Sequence, residues 1–138
     1  MAIDLKNHRL FLGCSGSKTM VMMDSTSGKV IVTVPIGQGV DANAFDPGTG
    51  FAFASCGDGT TTIAHEDAPD KLTVVQTLET QRGSRTIALD PKTHKIYLPT
   101  AQFEPQPEQA AGSPRQRPKM IPGTFKILVY GMDQAAGK

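Results

Sequence analysis

The stretch Met20-Val-Met-Met-Asp-Ser-Thr-Ser-Gly-Lys-Val-Ile-Val-Thr-Val-Pro-Ile-Gly37 contains two apolar runs on either side of a polar turn. The second run is a series of β-branched residues, which favour strands, and the Ser, Thr and Gly between the runs favour a turn. The pattern therefore predicts a β-hairpin with a loop longer than two residues. The fold depends on whether this hairpin occurs once or recurs.

A repeat runs through the chain. Segments 2–14, 44–56 and 88–100 share an Ala-apolar-Asp start, a polar turn and an alternating strand. Their Asp residues, Asp4, Asp46 and Asp90, are spaced by 42 and 44 residues, which is the length of a four-stranded propeller blade. A shift of 42 residues places the hairpin over residues 62–76, so strands are predicted at 61–66 and 72–78.

These observations predict an all-β fold of the β-propeller type with three blade units of antiparallel strands. The units cover approximately residues 1–41, 42–83 and 84–131, and the last blade lacks one strand. A Pro-rich polar segment at 102–119 is predicted to be an inserted loop, because it cannot bury enough apolar surface to order by itself. Closed rings have about four to eight blades, so we expect the chain to be the C-terminal part of a longer propeller.

Composition excludes several classes of function. The 138 residues suit one domain, and a net charge of +1 gives no field that would attract nucleic acid. No segment approaches the roughly 20 apolar residues of a membrane helix, so membrane insertion is not expected. The two cysteines, Cys14 and Cys56, are too few for a disulfide framework, and whether they pair stays open.

The repeat resembles the YVTN-type β-propeller family. The match is best over residues 19–37, where a strand ends in Asp24, a Thr-Ser-Gly-Lys turn follows, and a Val-rich strand leads to a closing Gly. The tetrapeptide that names the family is replaced by Phe11-Leu-Gly-Cys14, Phe53-Ala-Ser-Cys56 and Tyr97-Leu-Pro-Thr100. The resemblance implies a fold far more than an activity. Because such proteins are often bacterial and exported, it also implies a periplasmic or extracellular location if a signal peptide lies upstream.

Candidate binding residues come from the links between units. Residues 37–44 and 81–88 align so that Gly39 matches Gly83 and Asp41 matches Arg85. In a propeller such links reach the axial face, where ligands usually bind. The sequence therefore predicts a ligand-binding set on that face, with turn residues and an occasional salt bridge as the alternative; the set is Asp41, Asn43, Asp58 and Arg85.

Other candidates for chemistry are weaker. His8 and His94 recur with the period, in the turn after the shared Asp, which indicates a structural role. The cluster of His65 with its two acidic neighbours is expected to be a solvated turn. No Cys or His spacing fits a metal site, and no phosphate loop or nucleophile motif is present, so we expect no cofactor, no metal and no catalytic residue.

The favoured function is a non-catalytic scaffold or binding module for a protein or small-molecule ligand of unknown identity. One alternative is a fragment of a propeller enzyme of the lactonase-like or quinone-dependent type. Another is a truncated product without independent function. Open blade edges can template further pairing, so self-association is also expected.

Overall fold

The computed structural model describes residues 1–105 and 118–132. Eleven strands and no helix lie in these ranges, and they form three antiparallel sheets. The first sheet contains β1 (Ala2–Asp4), β2 (Arg9–Cys14), β3 (Thr19–Asp24) and β4 (Val30–Pro35). The second contains β5 (Val40–Asp46), β6 (Phe51–Cys56), β7 (Thr60–Ala68) and β8 (Lys71–Glu79). The third contains β9 (Ala88–Asp90), β10 (Lys95–Thr100) and β11 (Lys126–Tyr130).

The opening hairpin forms as β3 and β4 of the first sheet. Asp24 ends β3 because its Oδ1 accepts the backbone N–H groups of Thr26, at 2.9 Å, and Ser27, at 2.8 Å. Hydrogen bonds to the Asp24 carboxyl hold its pKa well below the usual range. The bond from the Thr26 hydroxyl has the largest effect, and the backbone donors come next. Gly28, at φ 71°, then takes the left-handed conformation that returns the chain into β4. The hairpin turn is thus closed by its own side chains.

The corresponding hairpin of the second sheet is longer than the sequence predicts. Strands β7 and β8 extend beyond the expected 61–66 and 72–78, because only Pro69 and Asp70 separate them. Two β-bulges, between Ile63 and Ala64 and between Glu66 and Ala68, adjust the pairing register of this long hairpin.

The third sheet has three strands in the order β11-β10-β9, and the described residues supply no fourth. The predicted inserted loop lies between β10 and β11. Its ends meet in an isolated bridge between Phe103 and Met120, and the Glu104 N–H donates to the Lys119 carbonyl at 2.9 Å. Residues 106–117 of the insertion, which include part of its basic run, lie outside the described residues, as do residues 133–138.

Two apolar clusters hold the sheets face to face. Between the first and second sheets, Phe11 is fully buried and stacks on Phe45 with ring centroids 4.8 Å apart. Between the second and third sheets, Phe53 packs with Ile96 and Leu98. Burying each such side chain contributes about 1.5–3 kcal/mol. The middle sheet is therefore covered on both faces and each outer sheet on one.

The connections complete a propeller-like arrangement. The outermost strand of one sheet leads to the innermost strand of the next, from β4 to β5 and from β8 to β9. The inner strand β5 contacts β1 and β2 on one side and β9 on the other. This is the blade order of a propeller, which confirms the predicted fold class, including a last blade one strand short within the described ranges.

Candidate functional site

Three loops meet at one end of the strands. They are the link after β4 (36–39), the β6–β7 turn (57–59) and the link after β8 (80–87), and together with residues 40–42 of β5 we call them the linker face. The Gly57 N–H donates to the Gly39 carbonyl at 2.9 Å, and the Gly83 N–H donates to the Gly57 carbonyl at 3.0 Å. Gly39 and Gly83, which the repeat aligns, both adopt positive φ, 73° and 85°. These backbone bonds join the loops into one surface.

Asp58 lies in the turn at the centre of the linker face. Its Oδ2 accepts the Gln38 N–H at 2.6 Å, and its Oδ1 accepts the Thr60 N–H at 3.0 Å and hydroxyl at 2.7 Å. Burial alone raises the pKa of this carboxyl, but the bonds from Gln38 and Thr60 outweigh burial and lower the pKa. Asp58 is therefore ionised at neutral pH and ties the link after β4 to the β6–β7 turn.

Asp41 and Arg85 form a loose ion pair on the linker face. Arg85 Nε lies 4.0 Å from Asp41 Oδ2, and the two side chains are 62% and 45% exposed. The pairing register of β5 shifts between Val40 and Ala42, so Asp41 is the extra residue of a β-bulge. Bulges redirect a side chain out of the sheet. Both charged groups consequently remain accessible to a ligand.

Asn43 has a different environment. Its Oδ1 accepts the backbone N–H of Gly13 at 2.9 Å, and its Nδ2 donates to the Phe53 carbonyl at 3.3 Å. The amide thus joins the first sheet to the second. The structure brings Asp41, Asp58 and Arg85 to the linker face, with the Arg85 stem next to Gly57, and it places Asn43 between the first two sheets.

A cavity of about 440 Å³ lies at the opposite ends of the strands, between the second and third sheets. Its walls include Phe51, Ile63 and Leu78 of the second sheet and Tyr130 of the third, and the Asp46–His94 pair supplies a polar edge. This cavity cannot be predicted from the sequence, because it depends on how two sheets lie together. Its only sequence signal is the absence of a fourth strand pattern after residue 130.

The histidines and cysteines lie in separate places. His65 Nδ1 is 2.7 Å from Asp67 Oδ1 within the β7–β8 hairpin, and its ring meets Phe51 edge-on. Both cysteines are free thiols. Burial, followed by the nearby Asp58 charge, raises the pKa of the Cys56 thiol to about 11. In residues 1–105 and 118–132, no group of three or more His, Cys, Asp or Glu could hold a metal ion.

Comparisons with known proteins bear on the fold. No family model matches the chain, and no curated protein matches it. Among solved structures, 81% of the chain aligns with hydrazine synthase of Kuenenia stuttgartiensis at a TM-score of 0.63 and 14% sequence identity. The chain covers 30% of that protein's length. At this identity the similarity shows a shared propeller-like fold and nothing about activity.

The structure also bears on one kind of membrane association. None of the described segments forms a helix long and apolar enough to cross a bilayer.

Proposed function

We propose that the chain is a non-catalytic binding module of the β-propeller type, whose ligand contacts the linker face through Asp41 and Arg85. The observation that carries this proposal is the exposed ion pair on a backbone that hydrogen bonds fix in place. Fixed charged groups bind with a smaller loss of conformational entropy than mobile ones. A ligand that presents its own cation and anion replaces the long 4.0 Å contact with two closer ones.

The chemistry of the linker face favours binding over catalysis. A general acid or base is most effective when its pKa lies near the working pH. The pKa of Asp58 is lowered instead, and its carboxylate accepts three hydrogen bonds from its own chain. The enzyme alternative requires carboxylates that converge around an axial site, and no observation specifically favours it.

The experiment is an NMR titration of ¹⁵N-labelled protein with two charged probes, free L-arginine and succinate. If the proposal is right, at least one probe causes saturable shifts of the amides at 38–42, 57–59 and 83–86. Arg85→Ala should abolish the response to succinate, and Asp41→Ala the response to L-arginine. Lys92→Ala, in an exposed turn at the other end of the strands, is the matched control. Shifts that do not saturate, or that spread evenly over the surface, would overturn the proposal.

We infer further that the repeat is of the YVTN type. Two features support this assignment. The strand that ends in Asp24 is followed by a turn that the Asp side chain closes, and a Val-rich strand comes next. The first strand of each unit also ends in the same Ala-apolar-Asp motif, at Asp4, Asp46 and Asp90.

A further inference from the structure

The two ends of the stack of sheets expose apolar faces. On the first sheet, the residues that alternate with the Phe11 set point away from the second sheet; this front face comprises Ile3, Leu10, Leu12, Val21, Met23 and Val30. On the third sheet, the residues that alternate with Ile96 and Leu98 form the back face, which comprises Tyr97, Pro99, Ile127 and Val129. Ile127 and Val129 are 53% and 51% exposed. Large exposed apolar patches of this kind mark interaction surfaces.

The repeat relates these two faces to surfaces that are already packed together. Leu10 of the front face corresponds to Ala52, which packs on the first sheet, and to Ile96, which packs on the second. Tyr97 of the back face corresponds to Phe11 and Phe53, which pack against the following sheet. A back face and a front face are thus the two sides of one type of interface, and the chain makes this interface twice internally.

A polar pair shows the same relationship. His94 Nδ1 contacts Asp46 Oδ2 at 2.7 Å, which joins the third sheet to the second. His8 occupies the same turn position as His94, with φ 56° against 57°, and it is exposed. Asp90 corresponds to Asp46, but among the described residues its carboxylate bonds only to its own turn, at the Lys92 N–H and the Thr93 hydroxyl. Each end of the stack therefore carries one half of an inter-sheet pair.

We propose that two copies of this chain associate, with the back face of each covering the front face of the other and Asp90 of one copy pairing with His8 of its partner. Two copies of three blades give a ring of six, within the range of known propellers. The contact joins two different surfaces, and making it twice closes the assembly, so no open filament results. This inference does not depend on a ligand at the linker face.

The first test measures the mass of the intact chain by light scattering coupled to size exclusion. We expect twice the 14.7 kDa of one chain. Val129→Asp places a charge in the back face and should give a monomer. Val75→Asp is the matched control, because Val75 is 52% exposed, against 51% for Val129, but lies on the middle sheet. Far-UV circular dichroism checks that each variant keeps its sheets, and Ile127→Asp replaces Val129→Asp if that variant does not.

The second test is a double-mutant cycle on the inter-copy pair, read out as the dimer dissociation constant. His8→Asn and Asp90→Asn should each raise Kd about tenfold or more. The Kd of the double variant should be only slightly higher than that of either single variant. Asn tolerates the left-handed backbone at position 8 and keeps an acceptor at position 90.

Three results would overturn the proposal. They are a monomer at every concentration tested, species whose mass keeps growing with concentration, and effects of the two substitutions that simply add. None of these depends on whether succinate or L-arginine binds, so failure of the pairing is distinguishable from failure of the proposed function.

Discussion

His94 Nδ1 lies 2.7 Å from Asp46 Oδ2 across the interface between the second and third sheets. The Asp46 side chain is 1% exposed, and it also accepts the Gly48 N–H at 3.0 Å and the Thr49 hydroxyl at 2.8 Å. The residue that marks each repeat in the sequence therefore has two structural roles here. It closes the turn of its own blade, and it fixes the position of the next one.

Replacing Asp46 should destabilise the fold. Asp46→Ala leaves the Gly48 N–H and the Thr49 hydroxyl without their acceptor, so we expect the free energy of unfolding to fall by about 1–3 kcal/mol. Asp46→Asn, which keeps an acceptor oxygen, should lower the free energy of unfolding by less. Urea denaturation at one fixed protein concentration measures the effect. Asp70→Ala, in the exposed β7–β8 turn, should change stability by less than about 0.5 kcal/mol, and equal losses at both positions would contradict the assignment.

Gly37, where the first blade ends, should not accept a side chain. A Cβ atom at this position overlaps the Thr60 hydroxyl and comes within 2.9 Å of Asp58 Oδ2. Gly37→Ala should therefore cost about 1–3 kcal/mol and shift the amide resonances of the linker face. Gly16→Ala is the control, because Gly16 lies in the β2–β3 turn at the same end of the strands and has open space around it. Thermal denaturation measures the effect. An equal decrease in melting temperature for both variants would show that the structure relieves the predicted clash.

Glu66 should make stability depend on pH. Burial raises the pKa of its carboxyl above the usual 4.5, and the Asp4 carboxylate adds to this, while the Asn7 amide and the Arg9 charge act in the opposite direction. The folded state therefore binds this proton more tightly than the unfolded chain. Stability from this group is fully present below pH 4.5 and is lost as the pH rises through the raised pKa.

The measurement for Glu66 compares melting temperatures of the wild type and Glu66→Gln between about pH 4 and pH 7. Gln does not titrate, and it can still accept the hydrogen bond from the Asn7 amide. The melting temperature of the variant should therefore rise relative to that of the wild type as the pH rises. Glu79→Gln, at an exposed position of β8, should follow the wild-type curve. A difference between Glu66→Gln and the wild type that stays constant with pH would contradict the assigned shift.

The strand order could be predicted because it depends on local pattern. The spacing of Asp4, Asp46 and Asp90 defines the repeat, and the polar composition after residue 130 predicts the three-stranded last sheet that the described residues form. Strand length is harder to predict from the sequence. The long β7–β8 hairpin contains two bulges, and bulges depend on how the backbone pairs with a neighbour rather than on residue type.

The candidate site could be predicted only in part. Matching Asp41 to Arg85 from the repeat identified two side chains that the fold brings within 4.0 Å. The local sequence does not show that the Asn43 amide forms hydrogen bonds between two sheets. It also does not show that His94 pairs with Asp46, which is 48 residues away. Contacts between blades depend on how the sheets stack, and one unit of the repeat carries no information about that geometry.

The turn after each shared Asp always includes one residue with a left-handed backbone: His8, Gly50 and His94 adopt φ values of 56°, 73° and 57°. Few side chains tolerate this conformation, and Gly, Asn, Asp and His are prominent among those that do. At position 94 this residue is a histidine whose ring contacts Asp46 of the neighbouring blade, whereas Gly50 has no side chain that could do so. An exchange between glycine and histidine at this position therefore adds or removes a contact between blades without changing the conformation of the turn.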